Sequence, residues 1–146
     1  IQCNTDLCFI NVNQKNHLSS KIILQLADLV VINLYQDSDY LRNFFSNYSS
    51  LISKAVFIVG NYSLKSPLSC KRIAKLYEIP LEDIAPIPYN ENFHIACKQG
   101  SAIEFINSNY FCDKESPNYL FIHGIRKAAY IILQKAEKNL ALAKRG

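Results

Sequence analysis

The sequence predicts an α/β fold, a parallel β-sheet with flanking helices, and three observations carry that expectation. Four short apolar runs have the β-branched and aromatic character of strands: residues 7–12 (LCFINV), 29–34 (LVVINL), 55–60 (AVFIVG) and 84–88 (IAPIP). None alternates cleanly with polar residues, as strands buried on both faces read. Helical patterns separate the runs, and parallel neighbours require such crossovers.

Each helix follows from the spacing of its apolar residues. Residues 19–27 place Ile22, Ile23 and Leu26 on one face. Residues 39–53 repeat Leu41, Phe44, Phe45, Tyr48, Leu51 and Ile52 at helical intervals, and residues 68–78 do so with Ile73, Leu76 and Tyr77. Residues 92–99 form a shorter helix that stops at Gly100, a C-terminal cap signal. Ser101 caps a second short helix over residues 102–106, and residues 107–117 read as loop. A long helix follows from Asn118 towards Lys144, with Ile122, Ile125, Ala129, Ile132, Ala136 and Leu140 along its apolar side. Its charges, Lys127, Lys135, Lys138, Lys144 and Arg145, are expected mostly elsewhere and crowd towards the C-terminal end, which suits the helix dipole. No repeat or low-complexity segment interrupts the pattern, so the 146 residues read as one domain.

Composition narrows the classes. Hydrophobic residues make up 49% and charged residues 19% of the chain, which fits a folded core rather than disorder. No apolar stretch approaches the ~20 residues that span a bilayer, and the opening residues lack a secretory pattern. Five scattered cysteines without a C-x-x-C pair read as reduced thiols in a cytoplasmic protein. A net charge of +4 permits nucleic acid or anionic lipid as a partner without arguing for either.

Ligands of open parallel sheets bind at the carboxyl ends of the strands. The loops at 11–16, 34–39, 60–65 and 88–92 occupy those ends, and all are rich in Asn, Ser, Gln and Tyr. A phosphate cradle is missing: the four glycines, Gly60, Gly100, Gly124 and Gly146, form neither G-x-x-x-x-G-K-[ST] nor G-x-G-x-x-G. No carboxylate pair or nucleophile elbow stands out, and His17, His94 and His123 lie far apart, each read as structural or surface.

Two segments resemble MinD/ParA-type ATPases. Residues 27–52 (ADLVVINLYQDSDYLRNFFSNYSSLI) are similar to the family's segment in which "AD" precedes a strand and a helix. Residues 84–105 (IAPIPYNENFHIACKQGSAIEF) follow the family's late pattern through Ile87, Pro88, Ala96 and Gly100. The resemblance extends from Leu7 to Ala136 and implies a partial Rossmann-like P-loop NTPase fold of three α/β/α layers. Residues 1–146 would be its C-terminal part. The N-terminal part carrying the phosphate loop is then expected before Ile1, an expectation that the absence of any Met shares.

The resemblance implies ATP and Mg²⁺ as cofactors, a nucleotide-dependent homodimer, and a role in positioning chromosome, septum or pilus machinery through a protein partner. Carried over by position, the loop at 88–92, with Pro88, Tyr89 and Asn90 foremost, and Gly60, Asn61 and Tyr62 at the third-strand end border the adenine. The base-reading position falls on Gly60 or Asn61, of which Asn61 offers both a donor and an acceptor. The metal-organising Asp falls on Asn11, and Lys15 stands where the switch has glycine. An uncharged Asn holds Mg²⁺ and its water less well than a carboxylate, so hydrolysis is expected to be weakened. The alternative reading is a non-catalytic relative acting as an interaction or localisation module. A flavodoxin-like or receiver-like domain ranks below both, since it predicts acids where Asn11 and Asn13 stand. Membrane contact by residues 135–146 (KAEKNLALAKRG) lacks a broad apolar face, and DNA contact by that segment lacks interleaved aromatics.

Overall fold

In the computed structural model, residues 8–12 and 18–143 are described. The element order is α1 (Leu18–Leu26), β1 (Val30–Leu34), α2 (Ser38–Tyr48), a 3₁₀ turn (Ser49–Lys54), β2 (Ala55–Tyr62), α3 (Cys70–Leu76), a second 3₁₀ turn (Leu81–Asp83), β3 (Ile84–Pro88), α4 (Glu91–Lys98), α5 (Ala102–Asn109) and α6 (Tyr119–Ala143). The strands form one parallel sheet in the order β1-β2-β3. Val30 pairs with Ala55 and Phe57 with Ile84, so the three runs enter the sheet in step. The layout is α/β with flanking helices, compatible with a Rossmann-like arrangement.

Local chemistry sets the helix starts. Asp37 caps α2 by accepting the Tyr40 N–H at 2.7 Å, Ser69 caps α3 through the Arg72 N–H, and Asn90 caps α4 through the Phe93 N–H. At the end of α4, Gly100 takes φ +74°, and the Ser101 N–H reaches back to the Ala96 carbonyl at 2.9 Å. That is the glycine stop expected from the sequence. Glu78 does the same work after α3 at φ 54°, with the Ile79 N–H donating to the Ala74 carbonyl.

One face of the sheet is sealed. Val30, Ile32 and Leu34 of β1, Ala55, Phe57 and Val59 of β2, and Ile84 of β3 join Leu41, Phe44, Phe45, Leu51 and Ile73 in a single buried cluster. Burying a side chain such as Phe57 contributes about 1.5–3 kcal/mol, so this cluster is the main source of stability. Rings extend it outward: Phe45 stacks on Tyr77 at 4.1 Å between centroids, and Phe44 on Tyr48 at 5.2 Å.

The other face is covered by α6, which packs chiefly on β3. There the buried residues are Val56, Ala85, Phe121, Ile122 and Ala128. A Cβ on Gly124 would meet the Pro86 carbonyl oxygen at 2.9 Å and the Ile87 Cα at 3.3 Å, so helix and strand backbone are nearly in contact. Farther along, Lys135 Nζ reaches Asp83 Oδ2 at 2.6 Å, with both side chains buried. The Asn139 amide then donates to the Asp28 carbonyl, just before β1. On the β1 side this face is thinly covered, and Val31 is 40% exposed.

Three expectations need correction. The run at 7–12 is not a strand over its described residues, Cys8 to Val12; they have no regular structure, and Phe9 is 82% exposed. Strand character in a sequence needs a partner edge to become a strand, and among the described residues β1 pairs only with β2. The stretch at 107–117 is not all loop, because α5 continues to Asn109, where the Asn109 amide donates to the Phe105 carbonyl. The inward stripe of α6 is also rotated from the expected one. Ala129 and Leu140 face solvent, whereas Gly124, Ala128 and Lys135 face inward. A Gly and a Lys do not register as apolar in a pattern, yet one permits contact and the other finds Asp83.

Two outcomes follow for stability. Gly124→Ala gains up to ~1 kcal/mol of helix propensity but forces a methyl against strand backbone, which costs about 1–3 kcal/mol; chemical denaturation is expected to show a net loss. Lys135→Ala strands the buried Asp83 carboxylate and is expected to cost about 3–5 kcal/mol, while the double change Asp83→Leu with Lys135→Met recovers most of it.

Candidate functional site at the strand carboxyl ends

A cleft of about 280 Å³ opens at the carboxyl ends of the strands. Its floor and walls are Ile58, Ile87, Phe93 and Phe121, and its polar groups come from Asn33, Asn61, Tyr89, Asn90 and His94. Gly60, Pro88 and Cys97 complete the lining. The volume lies just below the ~300–1,000 Å³ of most small-molecule pockets, so it has room for a small group only. No Asp, Glu, Lys or Arg contributes to the lining.

The elements around the cleft fix its shape. Gln36, just beyond β1, donates from Nε2 to the carbonyls of Ser63 and Leu68 and accepts the Ser63 N–H through Oε1 at 2.7 Å. One amide thus ties the β2–α3 loop to the end of β1. The Tyr40 hydroxyl donates to the Asn33 carbonyl at 3.1 Å. Asn61 sits at φ 49° where the β2–β3 register is irregular between Val59 and Tyr62. Asn tolerates that left-handed backbone better than most residues, and its side chain remains exposed beside the cleft.

Behind the cleft, four asparagines interlock. Asn118 accepts from the amides of Asn90 and Asn92, each at 3.0 Å, and donates to Asn109 at 2.8 Å. Asn90 and Asn118 are both buried. The network joins the β3–α4 turn to the end of α5 and the start of α6. Phe93, Phe105 and Phe121 close the space between those helices, with Phe93 and Phe121 centroids 4.7 Å apart. Among the described residues no buried side-chain polar atom lacks a hydrogen-bond partner.

The structure brings Asn61, Pro88, Tyr89 and Asn90 to one cleft. Asn90 arrives with its Oδ1 committed to the α4 cap and an amide N–H committed to Asn118, so its part there is to hold the turn. Asn11 lies in the exposed irregular segment and is not among the lining residues. Lys15 and Asn13 fall outside the described residues. Sequence reasoning missed Asn33, Phe93, His94 and Cys97 as lining residues. Helical spacing on α4 puts Phe93 and Cys97 on one side, a signal that becomes legible only once α4 is placed beside β3.

A wider groove of about 360 Å³ runs between α4 and α5, lined by Ile95, Ala96, Gln99, Ser101, Glu104 and Phe105 among others. No strand contributes to it, and it is the shallower of the two, so it excludes water less well. Cys70, at the start of α3, has its thiol pKa pushed up by burial, with Lys127 and a Tyr62 hydrogen bond opposing. It therefore stays protonated at neutral pH and is a poor nucleophile. Among the described residues, no group of three or more His, Cys, Asp and Glu could hold a metal ion. No helix there is long and apolar enough to cross a membrane.

Removing the hub of the asparagine network tests its role. Asn118→Ala leaves the buried Asn90 amide without its acceptor and is expected to cost about 1–3 kcal/mol. Hydrogen exchange in the first turn of α4 should quicken in the same variant. Comparison with known protein families, curated proteins and solved structures finds no match to this chain.

Proposed function

We propose that the chain is the base-binding part of a MinD/ParA-like ATP-binding protein of the cytoplasm, acting in intracellular positioning or partitioning, with weakened hydrolysis. The observation that carries this reading is the neutral cleft at the carboxyl ends of a parallel sheet, where Asn61, Pro88, Tyr89 and Asn90 meet. Apolar walls from Ile58, Ile87 and Phe93 suit a planar ring, and the Asn61 amide can donate to and accept from an adenine edge. Tyr89 is an exposed part of the lining, its ring centroid 6.1 Å from that of His94.

The lining fits the base and not the rest of the nucleotide. A triphosphate needs cationic side chains or a glycine-rich cradle, and Mg²⁺ needs carboxylate or comparable oxygen donors. Neither is present at the cleft. The phosphates and the metal are therefore assigned to residues outside this cleft, and no hydrolytic step is assigned to this chain. The same neutrality favours the second reading, a non-catalytic relative in which the domain serves as an interaction module and the cleft binds nothing.

A nucleoside titration separates the two. Adenosine at millimolar concentration should shift amide resonances at Gly60, Asn61, Tyr89 and His94. ATP should bind this chain no better than adenosine, and Mg²⁺ should add nothing. Asn61→Ala should reduce affinity several-fold while leaving the fold intact. Absence of shifts at those residues removes the base-binding reading and leaves the interaction module.

A further inference from the structure

The outward face of α6 carries a row of rings and a cation that the cleft does not use, with Tyr119 half-buried and the others exposed. Tyr119, His123, Arg126 and Tyr130 follow one another at spacings of four, three and four residues, which places them on one side of the helix over about 16 Å. The row is ordered. Tyr119 stacks on His123, with centroids 5.6 Å apart and planes 15° from parallel. The Arg126 guanidinium lies over the Tyr110 ring at 5.5 Å, and Tyr110 meets Phe111 edge-on at 4.9 Å. Contacts therefore run from Phe111 through Tyr110 to Arg126, and helix neighbours continue to His123 and Tyr130.

These rings are spent on no core. Phe111 is 87% exposed, Tyr130 64% and Tyr110 41%. Large exposed aromatics held in fixed orientation cost apolar surface in water, and a planar partner offsets that cost. The charge around them has one sign along the helix. From Tyr119 to Ala136, α6 holds no acidic residue, while Arg126 and Lys127 are exposed cations. The preceding loop sets two exposed acids, Asp113 and Glu115, and one exposed cation, Lys114, beside this face, so the three loop charges and the two on α6 leave a small cationic excess.

We propose that this face binds single-stranded nucleic acid, with bases stacking on Phe111 and Tyr130 and with Arg126 and Lys127 meeting the phosphates. Stacking needs unpaired bases, because a duplex presents backbone rather than ring faces. The side chains carry no array of groups matched to base edges, so the interaction is indifferent to sequence. This surface is separate from the cleft, and its role stands whether or not the cleft takes a base.

Fluorescence anisotropy of the full 146-residue chain with labelled oligo(dT), oligo(U) and a duplex of equal length tests it. Both single strands should bind more tightly than the duplex, and binding should weaken as salt rises. Phe111→Ala and Tyr130→Ala should each weaken single-strand binding about tenfold. Both residues are exposed, so thermal unfolding of the variants should match the parent. The oligo(dT) and oligo(U) arms tell DNA from RNA. The proposal is overturned if neither single strand binds, if the duplex binds equally well, or if the ring variants bind as the parent does; in each case the face is left for a protein partner or for solvent.

Discussion

The near-contact between α6 and β3 is the constraint on which the rest of the molecule depends. At Gly124 the helix backbone comes so close to Pro86–Pro88 that no Cβ fits between them. This fixes the height of α6 above the sheet at the carboxyl end. At the amino end the Lys135–Asp83 pair fixes its direction, because a buried ammonium must lie against its carboxylate. With both ends set, Phe121 and Asn118 have one place to be, and the cleft wall follows from that place.

Buried polar groups sharpen the arrangement further. The Asn118 side chain uses its carbonyl twice and its amide once, and its three partners come from a turn, a helix start and a helix end. An apolar side chain at that position would fill the space without specifying which residues meet there. Hydrogen-bond geometry does specify it, since a mispaired buried amide costs about as much as a native one contributes. Gln36 plays the same part across the sheet's carboxyl edge by binding the β2–α3 loop on both its donor and acceptor sides. Two amides therefore set the rim of the cleft.

The parallel α/β layout was legible because runs such as AVFIVG and LVVINL have no polar alternation and lie between helical patterns. The stop at Gly100 was legible because one residue sets it, whereas Ser101, read as the cap of the next helix, makes no side-chain cap hydrogen bond there. What failed depended on partners distant in sequence. Residues 7–12 read as a strand from their own composition, but a strand also needs an edge to pair with. Lys135 read as a solvated charge because its partner Asp83 lies 52 residues away. Asn33 and His94 were invisible as neighbours for the same reason: strand β1 and helix α4 meet only through the sheet.

The distribution of charge gives the last step. Lys and Arg are absent from the lining of the cleft and present along the outer side of α6, so the chain offers two surfaces that differ in charge. A neutral cleft with apolar walls selects for a ring and is indifferent to what the ring is attached to. A cationic face with exposed rings attracts phosphates first and ring faces second, and the attraction falls as salt screens it. One helix serves both surfaces, with Phe121 turned towards the cleft and Tyr119, His123 and Arg126 turned away. Because α6 is held at Gly124 and Lys135, the outer face is carried on a rigid support. A rigid support lets exposed rings stay aligned without further ordering cost when a partner arrives.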